Sequence, residues 1–356
     1  MNLTSRVKDF NEEQLLEMFL PIFEEHNQRV AQRLEKVHKP NPCILGAGDD
    51  SAIFSFNQGL TVMSIDTQTE NQDFRTQWVS GHQSSGYDVG WKLVTQNIAD
   101  IVAMRAVPQT LLISLSLPPQ TPCQWLQDCA HGVVDALSHN EAQECTISGG
   151  DLGASTEISI TVTAVGRCLG EPVRRNNARP ADVIAVAGEL GTAAAGLALL
   201  DSPEFLGVNN PELLDLVYTQ KRPSTPLTLG LSAENAHSMM DISDGLIRDG
   251  QRIAKASKVS MDFSLHLLEK DLKKLLPAAQ WLCQHTQKYA TSTPEHLAKQ
   301  WVLYGGENHS MLATFSSSEK LPQGFRAVGT CTIATSTPQL FINHEPATEY
   351  GWDHFS

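Results

Sequence analysis

Seven aspartates stand where a turn or an element end would hold them. Asp49 and Asp50 follow Gly46-Ala47-Gly48, Asp66 closes an apolar run, and Asp100 lies late in an apolar helical stretch. Asp151 follows Gly149-Gly150, and Asp241 and Asp244 flank Ile242-Ser243 before Gly245. Glycine lets a backbone turn tightly and approach a ligand, while adjacent carboxylates repel and favour neither strand nor helix. Each aspartate alone also reads as a surface turn or a cap. Asp241, between Met240 and Ile242, is the least ordinary, because a carboxylate in apolar surroundings needs a cation or hydrogen-bond donors. As a set they supply hard oxygen ligands on rigid element ends, which suits Mg²⁺ shared with a substrate's phosphates. No His/Cys cluster accompanies them, so zinc is disfavoured. The chain lacks G-x-x-x-x-G-K-[ST], the protein-kinase signature set and G-x-S-x-G, which excludes those ways of handling phosphate or acyl groups.

The elements that must hold these carboxylates follow from hydrophobic spacing. Residues 11–36 have helical spacing interrupted at Pro21, with Leu15, Leu16, Phe19, Leu20 and Phe23 as the apolar face and a polar stretch from Glu24 ending in a loop. Leu60 to Asp66 reads as a strand ending in a carboxylate, followed by polar residues 67–80 without a period. A helix is expected from about 83 to 105, a buried strand over 111–117, and a helix capped by Thr121 with Pro122 at its first position. A short strand at 145–148 leads into Gly149-Gly150-Asp151, and 157–167 alternates as a strand. The loop from Arg174 to Asp182 marks a domain boundary. The second half restarts with a strand at 183–188, an alanine-rich helix after Gly191-Thr192, and a loop-rich insertion over 201–225. Further elements are a helix at 226–236, a strand at 238–242, a helix at 245–257, a strand at 259–263, helix over most of 266–301, and last strands at 311–315, 326–331 and 339–342. Both halves mix helix and strand. No repeat is visible at the level of letters.

Bulk composition narrows the partners. The 356 residues carry 26 Lys and Arg against 40 Asp and Glu, a net charge of −14. A nucleic-acid binder needs a basic face to displace counterions, so nucleic acid is not an expected partner. The polar start after Met1 and the lack of a long apolar run argue against a signal peptide and a membrane span. Seven scattered Cys without a C-x-x-C suit a reducing cytoplasm better than a disulfide framework.

In order and spacing these motifs resemble thiamine-monophosphate kinase, of the ATP-binding superfamily that includes aminoimidazole ribonucleotide synthetase. The resemblance runs from about residue 43 to the C-terminus, through Gly46–Ala52, Ser64-Ile65-Asp66-Thr67, Asn97–Met104, Ser148–Asp151, Asp241–Leu246, Gly305-Gly306-Glu307 and Gly351–Phe355. It implies an α/β (α+β) fold of two domains. Residues 1–170 would form an ATP/Mg-binding domain whose sheet pairs across a homodimer, and residues 171–356 a mixed α/β sandwich. It implies ATP-dependent conversion of thiamine monophosphate to thiamine diphosphate by direct in-line transfer, with several Mg²⁺ ions and no protein nucleophile. By family position Asp50, Ser64, Ile65 (through its carbonyl), Asp66, Asp100, Asp151, Asp241 and Asp244 would hold metal. Gly150, Asp151, Arg175 and Ser243 would contact ATP. Asp73, Glu307 and Trp352 would face the thiamine moiety, where a cation over an aromatic ring beside a carboxylate is sensible chemistry.

The chain departs from the family pattern at three places. Asp73 precedes Phe74 where many members have His, Gly306-Glu307-Asn308-His309 stands in place of Gly-Gly-Glu-Asp-Tyr, and Met104 is followed by Arg105 instead of Gly. Two other readings accompany the first: a sibling ATP-dependent enzyme with another phosphorylated acceptor, and a non-catalytic nucleotide- and metal-binding paralogue. Selenophosphate synthetase is disfavoured, because Cys43 is followed by Ile44-Leu45 and not by a glycine-rich segment.

Overall fold

A computed structural model describes residues 5–45, 53–55, 59–348 and 351. They form two compact units: residues 1–77, 83–102 and 106–171 in the first, and 78–82, 103–105 and 172–356 in the second.

The first unit begins with helix α1 (Glu12–Lys36), capped by Asn11, whose side chain accepts from the Gln14 N–H at 2.8 Å. The helix runs through Pro21, which lies on the exposed face. It runs on through the polar stretch from Glu24 to Lys36, within the span its spacing predicts. That stretch carries a second stripe, His26, Val30 and Leu34, buried at helical spacing among charged neighbours. His26 Nε2 lies 2.8 Å from the Cys145 carbonyl, and Asn27 exchanges two hydrogen bonds with the Ile147 backbone. Strands β1 (Cys43–Leu45) and β2 (Ile53–Phe54) form a small antiparallel pair.

The main sheet of this unit contains β3 (Thr61–Thr69), β4 (Ala106–Leu117), β5 (Thr146–Ala154) and β6 (Ser159–Cys168), in the order β3-β6-β4-β5. Helices α2 (Gly86–Ala103) and α3 (Cys123–His139) accompany it. Pro122 is the N-cap of α3 and not its first helical residue. Two strands are longer than expected. β3 continues three residues beyond Asp66, each paired with β6, so Asp66 lies within the strand and not at its end. Gly149-Gly150-Asp151 is no turn either, but the middle of β5, which runs parallel to β4. The glycine at 150 permits that pairing: a Cβ there would meet the Ile113 carbonyl oxygen at 1.7 Å.

The second unit has a seven-stranded sheet. Its strands are β7 (Val183–Ala187), β8 (Ser238–Ile242), β9 (Val259–Phe263), β10 (Ser310–Phe315), β11 (Arg326–Ile333), β12 (Leu340–Ile342) and β13 (Glu345–Pro346). The order is β13-β12-β9-β11-β7-β10-β8, antiparallel except for β12 beside β9. Helices α4 (Thr192–Leu200), α5 (Pro211–Lys221), α6 (Leu227–Leu231), α7 (Leu246–Ser257), α8 (Glu269–His285) and α9 (Pro294–Tyr304) complete it. The helix expected over 226–236 is confined to the five residues of α6. One core joins Ile184 and Val186 of β7, Met240 and Ile242 of β8, Phe263 and Leu312 to apolar residues of α4, α5, α7, α8 and α9. Strand alternation then turns Asp241 to the opposite face from Met240 and Ile242. No helix among the described residues is long and apolar enough to cross a membrane.

Candidate active site

The expected site residues are divided between the two units. On the first, β3 presents Ser64, Asp66 and Gln68 on one face. Ser64 Oγ donates to Asp100 Oδ2 of α2 at 2.5 Å, and Gln68 Nε2 donates to Gln96 Oε1 at 3.0 Å. Ile65 points the other way with its side chain 65% exposed, so only its backbone could serve a site on the α2 side. Asp66, Val162, Ile113 and Gly150 form one row across the four strands. Asp151 is in the next row, with Ser114, Thr161 and Thr67. The sheet thus brings Ser64 to Asp100 but not Asp66 to Asp151. Those two are three strand spacings apart, roughly 14 Å, and on opposite faces. Asp73 is committed locally, since its Oδ2 accepts the Thr69 N–H at 2.8 Å and holds the turn after β3.

On the second unit the residues converge at the turn between β8 and α7. Asp249, in the first turn of α7, accepts the backbone N–H groups of Ser243 at 3.0 Å and Asp244 at 2.9 Å. Arg252 spans two carboxylates, donating to Asp249 at 2.5 Å and pairing with Asp244, while Arg248 Nε lies 3.7 Å from Asp244. Asp249 is fully buried. Burial pushes its carboxyl up to about 7, helped by the neighbouring Asp241 charge and opposed by the Asp244 N–H and Arg252. Asp241 is itself buried, with His309 Nδ1 at 3.3 Å.

The loop before β10 lies against the same turn. Glu307 N–H donates to the Ser243 carbonyl at 2.8 Å, and Gln220 Nε2 donates to Glu307 Oε2 at 3.2 Å. A Cβ at Gly306 would sit 2.2 Å from the Ser243 carbonyl oxygen, so the position admits only glycine at this closeness. Gly351 also lies against the turn, accepting from Arg248 Nη1 at 3.4 Å. The Arg175 side chain is exposed, while its carbonyl accepts from Ser257 Oγ at 2.8 Å. Asp50 and Trp352 lie outside the described residues.

The donor set fits magnesium by chemistry: its members are carboxylates, a hydroxyl and a carbonyl, without thiolate or imidazole. Among the described residues no three acidic, His or Cys side chains converge into a ready cage.

Residues 48–168 match the family model described as AIR synthase related protein, N-terminal domain. A thiamine-monophosphate kinase of Mycobacterium tuberculosis is 33% identical over 319 residues, covering 89% of this chain and 87% of that protein. The chain belongs to the thiamine-monophosphate kinase family. A second member of that family, from Bacillus subtilis, is 29% identical over 77% of this chain and 78% of its own length. The solved structure of AaThiL complexed with AMPPCP and TMP aligns with a TM-score of 0.71 at 26% identity, covering 92% of this chain and 96% of that one.

As a member of the thiamine-monophosphate kinase family, the chain shows how its departures at Arg105 and Asn308 are accommodated. Arg105 occupies a left-handed backbone position, φ 56°, where glycine is the natural residue, and its Nε donates to the Leu231 carbonyl at 3.0 Å. Asn308 donates to Thr192 Oγ1 at 2.6 Å at the start of α4. Sequence reasoning missed Asp249 and Arg252 as site residues. The available signal was an acid in the first turn of a helix with Arg three residues on.

Proposed function

We propose that this chain transfers the terminal phosphoryl group of ATP to thiamine monophosphate, giving ADP and thiamine diphosphate, by direct in-line attack. The 33% identity to a thiamine-monophosphate kinase over 89% of the chain carries this reading. The AaThiL complex with AMPPCP and TMP supports the pairing of an ATP-like molecule with a thiamine phosphate acceptor.

Phosphoryl transfer asks a protein for positioning and charge neutralisation more than for a nucleophile. The attacking atom is a phosphate oxygen, already anionic, so no side chain has to remove a proton. Asp50, Asp66, Asp100, Asp151, Asp241 and Asp244, with Ser64 and the Ile65 carbonyl, would hold Mg²⁺, which when bound would screen two polyanions that must approach each other. Gly150, Asp151, Ser243 and Arg175 would meet ATP. The exposed Arg175, on a loop tied down by Ser257, offers a guanidinium fork for phosphate oxygens. Glu307, oriented by Gln220, and Trp352 would face the thiamine cation. Asp73 would act there by shaping its loop, because its carboxylate already holds that turn.

A homodimer joined through the four-stranded sheet is the assembly we infer. Ile65, Thr163 and Leu112 share a row on the sheet face away from α2, and Met63 and Ile65 are 70% and 65% exposed. A Met63→Glu chain sedimenting as a monomer would support this, and a wild-type monomer would overturn it. The cytoplasm is the proposed compartment, on the ground of seven free thiols.

The deciding assay is purified protein with ATP, Mg²⁺ and thiamine monophosphate, read by chromatography of thiamine diphosphate, with unphosphorylated thiamine as the second acceptor. Product from the monophosphate alone is expected. Asp66→Asn and Asp151→Asn should keep their circular dichroism and lose turnover. No product from wild type would overturn the reading.

A further inference from the structure

Asp241 has a neighbour to which the motifs assign no role. His309 ends the Gly305–Asn308 loop and leads into β10. In the antiparallel register Met311 stands opposite Asp241 and Ser310 opposite Ile242. That sets His309 diagonally across from Asp241 on the same sheet face. His309 is 3% exposed and Asp241 6%. His309 Nδ1 lies 3.3 Å from Asp241 Oδ2. Its backbone is fixed without help from the ring: the N–H donates to the Ile242 carbonyl at 3.0 Å, and the carbonyl accepts from Thr225 Oγ1 at 3.0 Å.

An ionised carboxylate can only accept, so the facing nitrogen, Nδ1, is the one that bears hydrogen. The other nitrogen, Nε2, is buried and has no partner among the described residues. An unpaired buried polar atom is destabilising, and an apolar residue of similar volume would avoid that cost. Space-filling therefore does not explain histidine at this position, whereas a donor aimed at Asp241 does.

We propose that His309 is a positioning residue for Asp241. Its Nδ1–H engages Oδ2 and leaves the carboxylate's other oxygen to a divalent cation. This rests on the reading of Asp241 as a magnesium ligand. Carboxylates that ligate metal are themselves hydrogen-bonded, and losing such a partner weakens metal binding by about 10- to 100-fold.

Mn²⁺ titration of the full chain in the presence of ADP, with free Mn²⁺ read by electron paramagnetic resonance, tests the proposal. His309→Leu removes the donor and should weaken Mn²⁺ binding by about tenfold or more. His309→Asn places an amide N–H near the former Nδ1 and tolerates the local φ of 50°. It should stay within about threefold of wild type. Adding His309→Leu to Asp241→Asn should cause no further loss, because the two act through one carboxylate. Wild-type binding by a folded His309→Leu chain, with Asp241→Asn impaired, would overturn the role of His309 alone. Equal loss in the Leu and Asn variants would also overturn it, since packing and not the donor would then be at work. Wild-type binding by Asp241→Asn would remove the metal reading of Asp241 and this proposal with it. Should His309→Leu fail to fold by circular dichroism, the Asn variant decides: near-wild-type binding supports the proposal and a tenfold loss overturns it.

Discussion

Ser64 Oγ donates to Asp100 Oδ2 at 2.5 Å, tying the middle of β3 to the last turn of α2. Both residues are proposed metal ligands, so the contact holds two oxygens of one donor set near each other before any cation arrives. It also explains how Asp100 can sit among the apolar residues that end α2: its carboxylate faces a hydroxyl and not the core. Replacing Ser64 by Ala should lower stability by only about 1 kcal/mol. The Mg²⁺ concentration for half-maximal turnover should rise by about tenfold, as for loss of a ligand or its partner. Unchanged Mg²⁺ dependence alongside the stability loss would mean that Ser64 is a strut and not a ligand.

Two of the three glycines of β5 make a sharper structural prediction. A Cβ at Gly150 would lie 1.7 Å from the Ile113 carbonyl oxygen, a backbone atom that cannot swing aside, while one at Gly153 would meet Ser116 Oγ at an ordinary 3.8 Å. Gly150→Ala should therefore cost about 3 kcal/mol or more, and Gly153→Ala less than about 1 kcal/mol. Urea unfolding of the pair measures the difference. Equal losses would show that β5 is not pressed against β4 as described.

Asp249 is expected to matter as the anchor of the β8–α7 turn. Removing it by Asp249→Ala orphans the N–H groups of Ser243 and Asp244 and frees Arg252 from one of its two carboxylates. A stability loss of about 2–4 kcal/mol follows from two unsatisfied donors and a broken buried pair. Asp249→Asn keeps one acceptor oxygen and should lose about half as much. If the two variants unfold at the same denaturant concentration as wild type, the turn is held by other contacts.

Much of this was legible in the letters, for physical reasons that differ by element. β8 and α7 announce themselves, since a short apolar run gives way at Gly245 to a helix with a clear apolar stripe. The second half of β5 was not legible. Glycines there favour a turn locally, and only pairing with β4 overrides that preference. The same divide runs through the candidate site. Aspartates on glycine motifs can be read as metal ligands because their chemistry is in their own side chains. Asp249 and Arg252 left only the weak trace of an acid and an arginine three residues apart, and His309 lies 68 residues from Asp241, so sequence spacing carries no trace of that contact.

His26 links stability to pH. It lies on the buried face of α1 with Nε2 at 2.8 Å from the Cys145 carbonyl. Burial holds its pKa below the ordinary 6.5, with Arg29 and Arg33 pushing the same way and the carbonyl contact opposing them. The unfolded chain therefore takes up a proton as pH falls through 6.5, while the folded chain stays neutral there. The contribution is fully present above about pH 6.5 and is lost as pH falls through the depressed folded value. His26→Gln places an amide N–H where Nε2 stood, so it keeps the hydrogen bond and removes the titration. The expected result is a drop in melting temperature between pH 7.5 and pH 5.5 that is smaller in His26→Gln than in wild type, with the two close together at pH 7.5. Parallel drops in both proteins would assign the acid sensitivity to other groups.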